Sequence, residues 1–371
     1  MFVVKAYKFR LKPTKKQARL LQEQLDECRW LHNELLAQRK MAHEVEIPLS
    51  KYNQNMFLPF LKEERPSLAK VHSQVLQNVV DRLDKAFQHF FRRCKTGETP
   101  GFPRFRGVDR YKSFCYPQSG FALTGNELKL SKLGKIRVKM HRPVGGNIKT
   151  CTIRKNASGD WDVCFSCEVE VDTLPATQES IAIDVGLTTF ATLSDGREIK
   201  NPRFFKQAEK QLAKAQRKLE KLEKGTTERR RQKKAVAKIH EKTANQRKDF
   251  CHKESRKIVE QYQHICVEDL NVKKMMQGAL SKSIADVSWS QFLQFLSYKA
   301  AEAGRKVGLV NPAYTTQDCS QCGYREAKKL SERTHCCAHC GYTASRDYNA
   351  AQNILALGLD GLGVIPRSLR L

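Results

Sequence analysis

Two carboxylates stand directly after predicted hydrophobic strands. Asp184 follows the apolar run 181–183, and Glu268 follows the apolar run 265–267. Short apolar runs of this kind are typical of buried strands. Because sites in open α/β sheets form at the carboxyl ends of the strands, we expect both acidic side chains at that edge.

A third carboxylate, Asp347, opens a predicted helix. Ala351, Ile354 and Leu355 follow it at helical spacing, so that all four residues share the face that packs inward. A carboxylate on a buried face is unfavourable unless it is paired or bound to a metal, although the helix N-terminus offsets part of that cost. The alternative is that Asp347 is only a charge favoured by the helix dipole.

Three acids in one place would suit divalent cations. Two Mg²⁺ or Mn²⁺ ions about 4 Å apart can activate a water and stabilise the leaving 3′ oxygen of a phosphodiester. These hard cations prefer oxygen ligands, which an all-carboxylate set provides. The predicted chemistry is therefore metal-assisted cleavage of a nucleic-acid backbone. Spacing alone leaves three competitors for the acidic roles: Asp249, Asp269 and Asp286.

A second metal site is predicted near the C-terminus, from four cysteines in two C-x2-C pairs: Cys319, Cys322, Cys337 and Cys340. Each pair is followed by a glycine, Gly323 or Gly341, and can turn two thiolates towards one tetrahedral ion. We expect one structural Zn²⁺, because a four-thiolate site leaves no open position for catalysis. Cys336, His335 and His339 leave the register open, and four ordinary buried thiols are the alternative.

The charge indicates a polyanionic partner. Lys and Arg number 67 and Asp and Glu number 39, which gives a formal charge of +28. The excess is uneven, because residues 206–248 hold 16 basic and 5 acidic side chains. A nucleic acid would relieve this repulsion and release counterions. A merely solvated basic surface is the alternative, and an acidic lipid surface ranks lower because no aromatic stripe accompanies the charge.

Length and composition exclude several classes of protein. A chain of 371 residues with 40% hydrophobic residues can bury a core in two or three domains, so we expect neither a disordered tail nor a small disulfide scaffold. No run of about 18 apolar residues predicts a membrane span, and the N-terminus shows no signal-peptide pattern. The 13 cysteines are therefore expected to be reduced, in a cytoplasmic protein.

The predicted elements change along the chain. Residues 1–12 predict a strand, and residues 13–95 predict helices that begin at the capping-box pair Thr14 and Gln17. After a break at 96–101, alternating apolar residues predict short strands of a small barrel, which the N-terminal strand can join. Further along, apolar strands alternate with helices, as in an α/β domain.

Several of these segments resemble the TnpB/OrfB family. Three are similar to its RuvC motifs: IDVGL at 183–187, VEDLN at 267–271 and RDYNAAQNI at 346–354. Two more, together with the cysteine cluster, are similar to its zinc-ribbon insertion: 304–306 and 311–317. The similarity extends to the basic region and upstream of it, at 242–250, 7–11 and 101–105. The resemblance therefore spans nearly the whole chain.

The resemblance implies an RNA-guided DNA endonuclease encoded by an insertion-sequence transposon. Its guide RNA comes from the transposon end, its double-stranded DNA target carries a short adjacent motif, and guide pairing supplies most of the sequence specificity. We expect a monomer on its RNA, with no membrane contact. The alternatives are a nuclease-inactive RNA-guided repressor, a miniature CRISPR nuclease, a strand-transfer transposase and a non-enzymatic zinc-ribbon protein.

The implied fold class combines an α/β, RuvC-like (RNase H-like) nuclease domain and its zinc-ribbon insertion with a wedge-like β-barrel and a helical recognition domain. By position, the nuclease domain takes residues 179–310 and 344–371, the zinc ribbon 311–343, the barrel 1–12 and 96–178, and the helical domain 13–95.

The resemblance also assigns roles to residues. Asp184, Glu268 and Asp347 become catalytic metal ligands, with Asp184 bridging two Mg²⁺ or Mn²⁺ ions, and the four cysteines bind one Zn²⁺. Polar residues of the helical region are expected to read the adjacent motif, since Gln can pair with an adenine edge, unless they are only solvated: Tyr52, Gln74 and Gln77. Basic residues are expected on the nucleic-acid backbone: Arg229, Arg230, Arg231, Lys233, Lys234 and Arg247.

Overall fold

The computed structural model describes residues 1–278, 280–329 and 332–364, and only the backbone of Lys273. The chain forms two compact units, one of Phe2–Glu170 and one of Met1 with Val171–Leu371. The end of the predicted nuclease segment, 365–371, lies outside the described residues.

The first unit contains a seven-stranded antiparallel sheet. Its strands are β1 (Phe2–Lys12), β2 (Ser113–Tyr116), β3 (Phe121–Thr124), β4 (Glu127–Leu130), β5 (Gly134–Lys139), β6 (Asn147–Lys155) and β7 (Trp161–Glu170). The order is β2-β6-β7-β1-β5-β4-β3, and the rings of Tyr116 and Phe121, on the two outer strands, lie 6.5 Å apart. The sheet is a near-closed barrel with β1 at its centre, which confirms that the N-terminal strand joins the barrel.

Apolar side chains at every second position of the strands fill the interior of the barrel. In β7, Val163, Phe165 and Cys167 are all buried, as their spacing of two predicts. In β5, Ile136 and Val138 are buried in the same way. The barrel core is therefore built from the apolar residues that the sequence pattern identified.

Helices of the first unit occupy the segment between β1 and β2. They are α1 (Lys15–Glu44), α2 (Lys51–Met56), α3 (Leu58–Glu64) and α4 (Ser73–Lys95), with a 3-10 turn at Pro66–Lys70. The predicted capping box begins α1, because the Thr14 hydroxyl accepts from the Gln17 amide and Gln17 Oε1 accepts from the Thr14 amide. The buried face of α4 runs from Val75 to Phe87, inside the segment 13–95 that the sequence predicts to be helical.

The second unit is built on a five-stranded sheet. Its strands are β8 (Ser180–Val185), β9 (Thr189–Leu193), β10 (Glu198–Lys200), β11 (His264–Glu268) and β12 (Lys306–Val310), in the order β10-β9-β8-β11-β12. β11 is parallel to both β8 and β12, whereas β9 is antiparallel to β8. The helices are α5 (Phe204–Glu220), α6 (Thr227–Gln261), α7 (Val272–Met275), α8 (Ser281–Val287), α9 (Trp289–Ala303) and α10 (Arg346–Gly361).

The two faces of this sheet are covered by different helices. Ile183 and Val267 belong to a core that includes residues of α6 and α9. Ala182 and Cys266, one position earlier on each strand, pack with Ile354 of α10. Because side chains alternate along a strand, the residue after Ile183 and the residue after Val267 again face α10.

A small two-stranded ribbon, β13 (Thr334–Cys336) and β14 (Thr343–Ser345), precedes α10 in the chain. The chain runs from this ribbon directly into α10, which packs on the five-stranded sheet. Across the part of the chain that the structure describes, no helix combines the length and apolar character needed to cross a membrane.

Candidate active site and cysteine cluster

Asp184 and Glu268 lie side by side at the carboxyl edge of the five-stranded sheet. Ile183 pairs with Val267 in the parallel register, so the next residue on each strand, Asp184 and Glu268, are neighbours on the face that α10 covers. Glu268 is buried, with 8% of its surface exposed. The apolar runs correctly predicted where these two strands end, and the two carboxylates that follow them lie next to each other.

Asp347 lies in the first turn of α10, which packs on the same face of the sheet. The helix is capped by Ser345, whose hydroxyl accepts from the Tyr348 amide at 3.1 Å. The Arg346 Nη2 lies 3.3 Å from Asp347 Oδ1. The helix N-terminus and this guanidinium both interact favourably with a negative charge at this position.

The three carboxylates interact electrostatically. Burial raises the pKa of Asp184 well above its usual value, and the charges of Glu268 and Asp347 raise it further, while Arg346 opposes them. Burial also raises the pKa of Glu268, against a hydrogen bond from Thr315 that lowers it. Segments far apart in the sequence thus concentrate negative charge at one edge of the sheet.

The competing acids lie elsewhere. Asp249 is exposed on α6, where its carboxylate lies 2.7 Å from Lys253 Nζ. Asp286 caps α5, accepting from the Phe205 amide at 2.9 Å, and also pairs with Arg247. Asp269 follows Glu268 and is exposed, although its backbone amide donates to β12. The structure therefore groups Asp184, Glu268 and Asp347, and gives Asp286 a structural role.

One buried contact of Glu268 was not anticipated from the sequence. The hydroxyl of Thr315, a residue only 2% exposed, donates to Glu268 Oε1 at 2.7 Å. Thr315 lies in the segment 311–317, whose similarity to a family motif was the only signal. No local pattern links two residues that stand 47 positions apart.

The cysteine cluster has the geometry of a metal site. All four sulfurs lie within 4.8 Å of one another: those of Cys319, Cys322, Cys337 and Cys340. Gly323 and Gly341 both adopt a φ of 74°, the left-handed backbone that each knuckle needs. The Cys336 thiol instead contacts Thr343 Oγ1, His339 stacks on Tyr324, and His335 Nδ1 lies 2.6 Å from Lys328 Nζ.

Thiols of the cluster shift one another's pKa values. The backbone amide of Cys340 lowers the pKa of Cys337 to about 6, whereas the pKa values of Cys322 and Cys340 are raised. A thiolate is the form that binds a metal ion. The register that the sequence left open therefore resolves to the two C-x2-C pairs.

The six basic residues expected on a nucleic-acid backbone fall into two groups. Arg230, Arg231, Lys233 and Lys234 have exposed side chains near the start of α6. Arg229 instead donates to the carbonyls of Leu219 and Leu222, where α5 ends. Arg247 is mostly buried and pairs with Asp286 at 3.0 Å. The last two residues therefore hold the helices of the second unit.

The three residues expected to read a DNA motif lie in the first unit. Tyr52 is 71% exposed on α2, and Gln77 is exposed on α4. Gln74 Oε1 accepts from the Ser119 amide at 2.9 Å, so its side chain links α4 to the turn between β2 and β3. All three residues belong to the first unit, whereas the acidic edge described above belongs to the second.

Comparison with known proteins decides the family. A family model described as "Probable transposase" (OrfB of the IS605 type) matches residues 164–279, and one described as a Cas12f1-like TNB domain matches 289–354. A protein of Streptomyces pristinaespiralis named as a candidate RNA-guided DNA endonuclease is 33% identical over 368 residues, covering 96% of this chain and 90% of that protein. The chain belongs to the TnpB/OrfB family.

Other similarities agree with that membership. InsQ of Escherichia coli K12, another TnpB/OrfB-like protein named as a candidate RNA-guided DNA endonuclease, is 32% identical and covers 96% of this chain and 92% of its own length. The solved mini-RNA-guided endonuclease CRISPR-Cas phi3 superposes with a TM-score of 0.52 at 9% identity, covering 96% of this chain and 92% of that one, which shows a shared fold. A helix-turn-helix family model matches 1–47, where this TnpB/OrfB protein has β1 followed by the single long helix α1.

Proposed function

We propose that this protein is an RNA-guided DNA endonuclease of an insertion-sequence transposon. It binds a guide RNA from the transposon end, recognises a short motif beside its double-stranded DNA target, and hydrolyses the DNA at Asp184, Glu268 and Asp347. The observation that carries the proposal is the grouping of these three acids, from two neighbouring parallel strands and the first turn of α10, at one sheet edge. The relatives that the chain matches over nearly their whole length carry names with the same activity.

Divalent cations fit the acidic edge. Two neighbouring carboxylates, Glu268 and Asp347, raise the pKa of Asp184 and outweigh the opposing charge of Arg346, so additional positive charge would be favourable there. Oxygen ligands of this kind suit Mg²⁺ or Mn²⁺. When bound, two such ions supply an activated water and charge stabilisation at the leaving oxygen. We assign the ligand roles to the three acids.

Each acid is suited to a distinct task. Asp184 has both other carboxylates as neighbours, so it would hold a cation together with either of them. Glu268 is buried and hydrogen-bonded, so its carboxylate is held in one orientation. Asp347 is held by the first turn of α10 and by its ion pair with Arg346. Together they form a compact acidic site that would hold the divalent cations, and those cations would supply the positive charge that a scissile phosphate needs.

A structural Zn²⁺ fits the four sulfurs. Soft thiolate ligands that lie within 4.8 Å of one another suit a closed tetrahedral site. We propose that the ion holds together the segment between β12 and α10.

The helical hairpin of α5 and α6 is proposed as a surface for RNA or for the RNA–DNA duplex. Its exposed cations are suited to phosphates: Arg230, Arg231, Lys233 and Lys234. Tyr52 and Gln77 remain proposed motif readers of the first unit, together with Gln74, whose amide would have to exchange its contact with Ser119. The domain limits predicted from the sequence are kept as a proposal: barrel 1–12 and 96–178, helical domain 13–95, nuclease 179–310 and 344–371, ribbon 311–343.

The proposal is tested by plasmid cleavage. Purified protein with co-expressed transposon-end RNA is incubated with Mg²⁺ and a plasmid library that carries the guide-matched target beside a randomised flank. We expect cleavage beside one enriched flanking motif. Asp184→Asn should lose cleavage by several orders of magnitude and retain RNA binding in a gel-shift assay.

Asp249→Asn is the matched control, because it removes an exposed acid of the same unit that lies outside the acidic edge. It should cleave at the wild-type rate. Full cleavage by Asp184→Asn would contradict the assignment of the nuclease site. DNA binding without cleavage by the wild type would instead favour a repressor.

A further inference from the structure

The hydroxyl of Thr315 is placed to fix the Glu268 carboxylate. It lies 2.7 Å from Glu268 Oε1 and 3.3 Å from the carbonyl of Pro312. A hydroxyl has one proton to donate, and a short bond to an ionised carboxylate is the stronger of the two. The terminal torsion of a Glu side chain is otherwise broad, so this bond selects one orientation.

The backbone around Thr315 is itself held by two asparagines of α10. Asn353 Nδ2 donates to the Thr315 carbonyl at 2.9 Å and to the Asp318 carbonyl at 2.7 Å. Asn349, which is fully buried, donates to the same Asp318 carbonyl and accepts from the Ser320 amide at 2.9 Å. The segment 315–320 is therefore bound to the helix that carries Asp347.

The same segment begins the cysteine cluster. Asp318 and Ser320 flank Cys319, whose sulfur lies 3.7 Å from that of Cys340. Asn349 lies two positions after Asp347 on α10. The short segment 315–320 thus contains the first cysteine of the cluster, bonds through its backbone to the helix of Asp347, and bonds through the Thr315 side chain to Glu268.

We infer that Thr315 is a positioning residue, which orients Glu268 for metal binding and ties that orientation to the cysteine knuckle through Asn349 and Asn353. This inference rests on the proposed function of the acids. Hydrogen bonds to metal ligands commonly change metal affinity by 10- to 100-fold, so about tenfold is expected for loss of this hydroxyl. The geometry of the nuclease site then depends on the integrity of the cysteine cluster.

The test is Mn²⁺ binding to the full-length RNA-bound protein, measured by calorimetry and by the electron paramagnetic resonance signal of bound Mn²⁺. Thr315→Val keeps the side-chain shape and removes the donor, so Mn²⁺ should bind about tenfold more weakly. Thr315→Ser keeps the hydroxyl and should restore the affinity. Thr316→Val is the matched control and should bind like the wild type, and the zinc content should be equal in all of them.

A second variant keeps the inference testable if Thr315→Val does not fold. Asn353→Leu removes both amide bonds to the segment and leaves the hydroxyl, and it should also weaken Mn²⁺ binding. Unchanged affinity in Thr315→Val or in Asn353→Leu, or equal loss in Thr315→Ser, would overturn the inference. Asp184→Asn separates the two claims: if it too binds Mn²⁺ like the wild type, the proposed metal site itself is wrong.

Discussion

The negative charge of Asp184 lowers the stability of the folded protein unless a proton or a cation neutralises it. Burial and the charges of Glu268 and Asp347 raise its pKa, so the folded state favours the protonated carboxyl more than the unfolded chain does. Its contribution to stability is therefore fully present at acidic pH, below the unfolded pKa, and is lost as the pH rises through the raised folded pKa. In its ionised form this group weakens the fold.

Neutralising this residue should stabilise the protein without metal. In chelator at neutral pH, Asp184→Asn should raise the midpoint of thermal unfolding by several degrees, and the difference should shrink as the pH is lowered. Adding Mg²⁺ should raise the midpoint of the wild type more than that of the variant. Scanning calorimetry across pH measures both effects, with Asp249→Asn as the control that gains nothing. A lower midpoint for Asp184→Asn in chelator would contradict the coupling of the acids.

Zinc binding can be compared between a cysteine of the cluster and a cysteine beside it. Cys322→Ser removes one of the four grouped sulfurs and should lower the zinc content per chain, measured by elemental mass spectrometry, together with the midpoint of unfolding. Cys336→Ser changes an exposed thiol next to the cluster and should keep the zinc of the wild type. Equal zinc loss in both variants would show that the register of the cluster is wrong.

At the scale of elements, α10 must approach the sheet very closely to deliver Asp347. A Cβ at Gly358 would overlap the Sγ and Cβ of Cys266 on β11, so only glycine fits at this crossing. Gly358→Ala should therefore displace the helix, lower the free energy of unfolding by about 1–3 kcal/mol and reduce cleavage. Urea denaturation and the plasmid assay measure the two effects.

Gly361 provides the control on the same helix. A Cβ there meets nothing within 4 Å, so Gly361→Ala should leave stability and cleavage nearly unchanged. If Gly358→Ala were equally neutral, the close packing of α10 on β11 would not be what positions Asp347.

Elements with strong local patterns were predictable, and contacts between distant elements were not. Apolar runs predicted β8 and β11, and the capping box of Thr14 and Gln17 predicted where α1 begins. The grouping of Asp184 with Glu268 followed from the general rule that sites form at the carboxyl ends of strands. The bond from Thr315 to Glu268 and the buried pairing of Arg247 with Asp286 depend on tertiary packing, which leaves no periodic signal in the sequence.

For the whole molecule, the formal charge of +28 is the feature that most strongly indicates a polyanionic partner. The exposed cations near the start of α6 have open surroundings, whereas further along this helix Lys253 and Lys257 pair with Asp249 and Glu254. Paired cations release fewer counterions on binding, so the early part of α6 should contribute more to RNA affinity.

This difference is measurable on one helix. The double variant Lys233→Ala/Lys234→Ala should bind guide RNA more weakly and lower the slope of log affinity against log salt by about 1.5. The double variant Lys253→Ala/Lys257→Ala removes the same charge and should change the slope much less. Filter binding over a range of salt concentrations gives both slopes, and equal slopes would show that the start of α6 is not a phosphate-binding surface.

Guide replacement tests the central claim most directly. The protein is loaded with a transposon-end RNA whose pairing segment has been rewritten, and is offered two plasmids that share the adjacent motif but match either the old or the new guide. We predict Mg²⁺-dependent cutting of the plasmid that matches the new guide, and none by Asp184→Asn. Cutting that follows the old sequence, or that proceeds without RNA, would contradict RNA-guided cleavage by this protein.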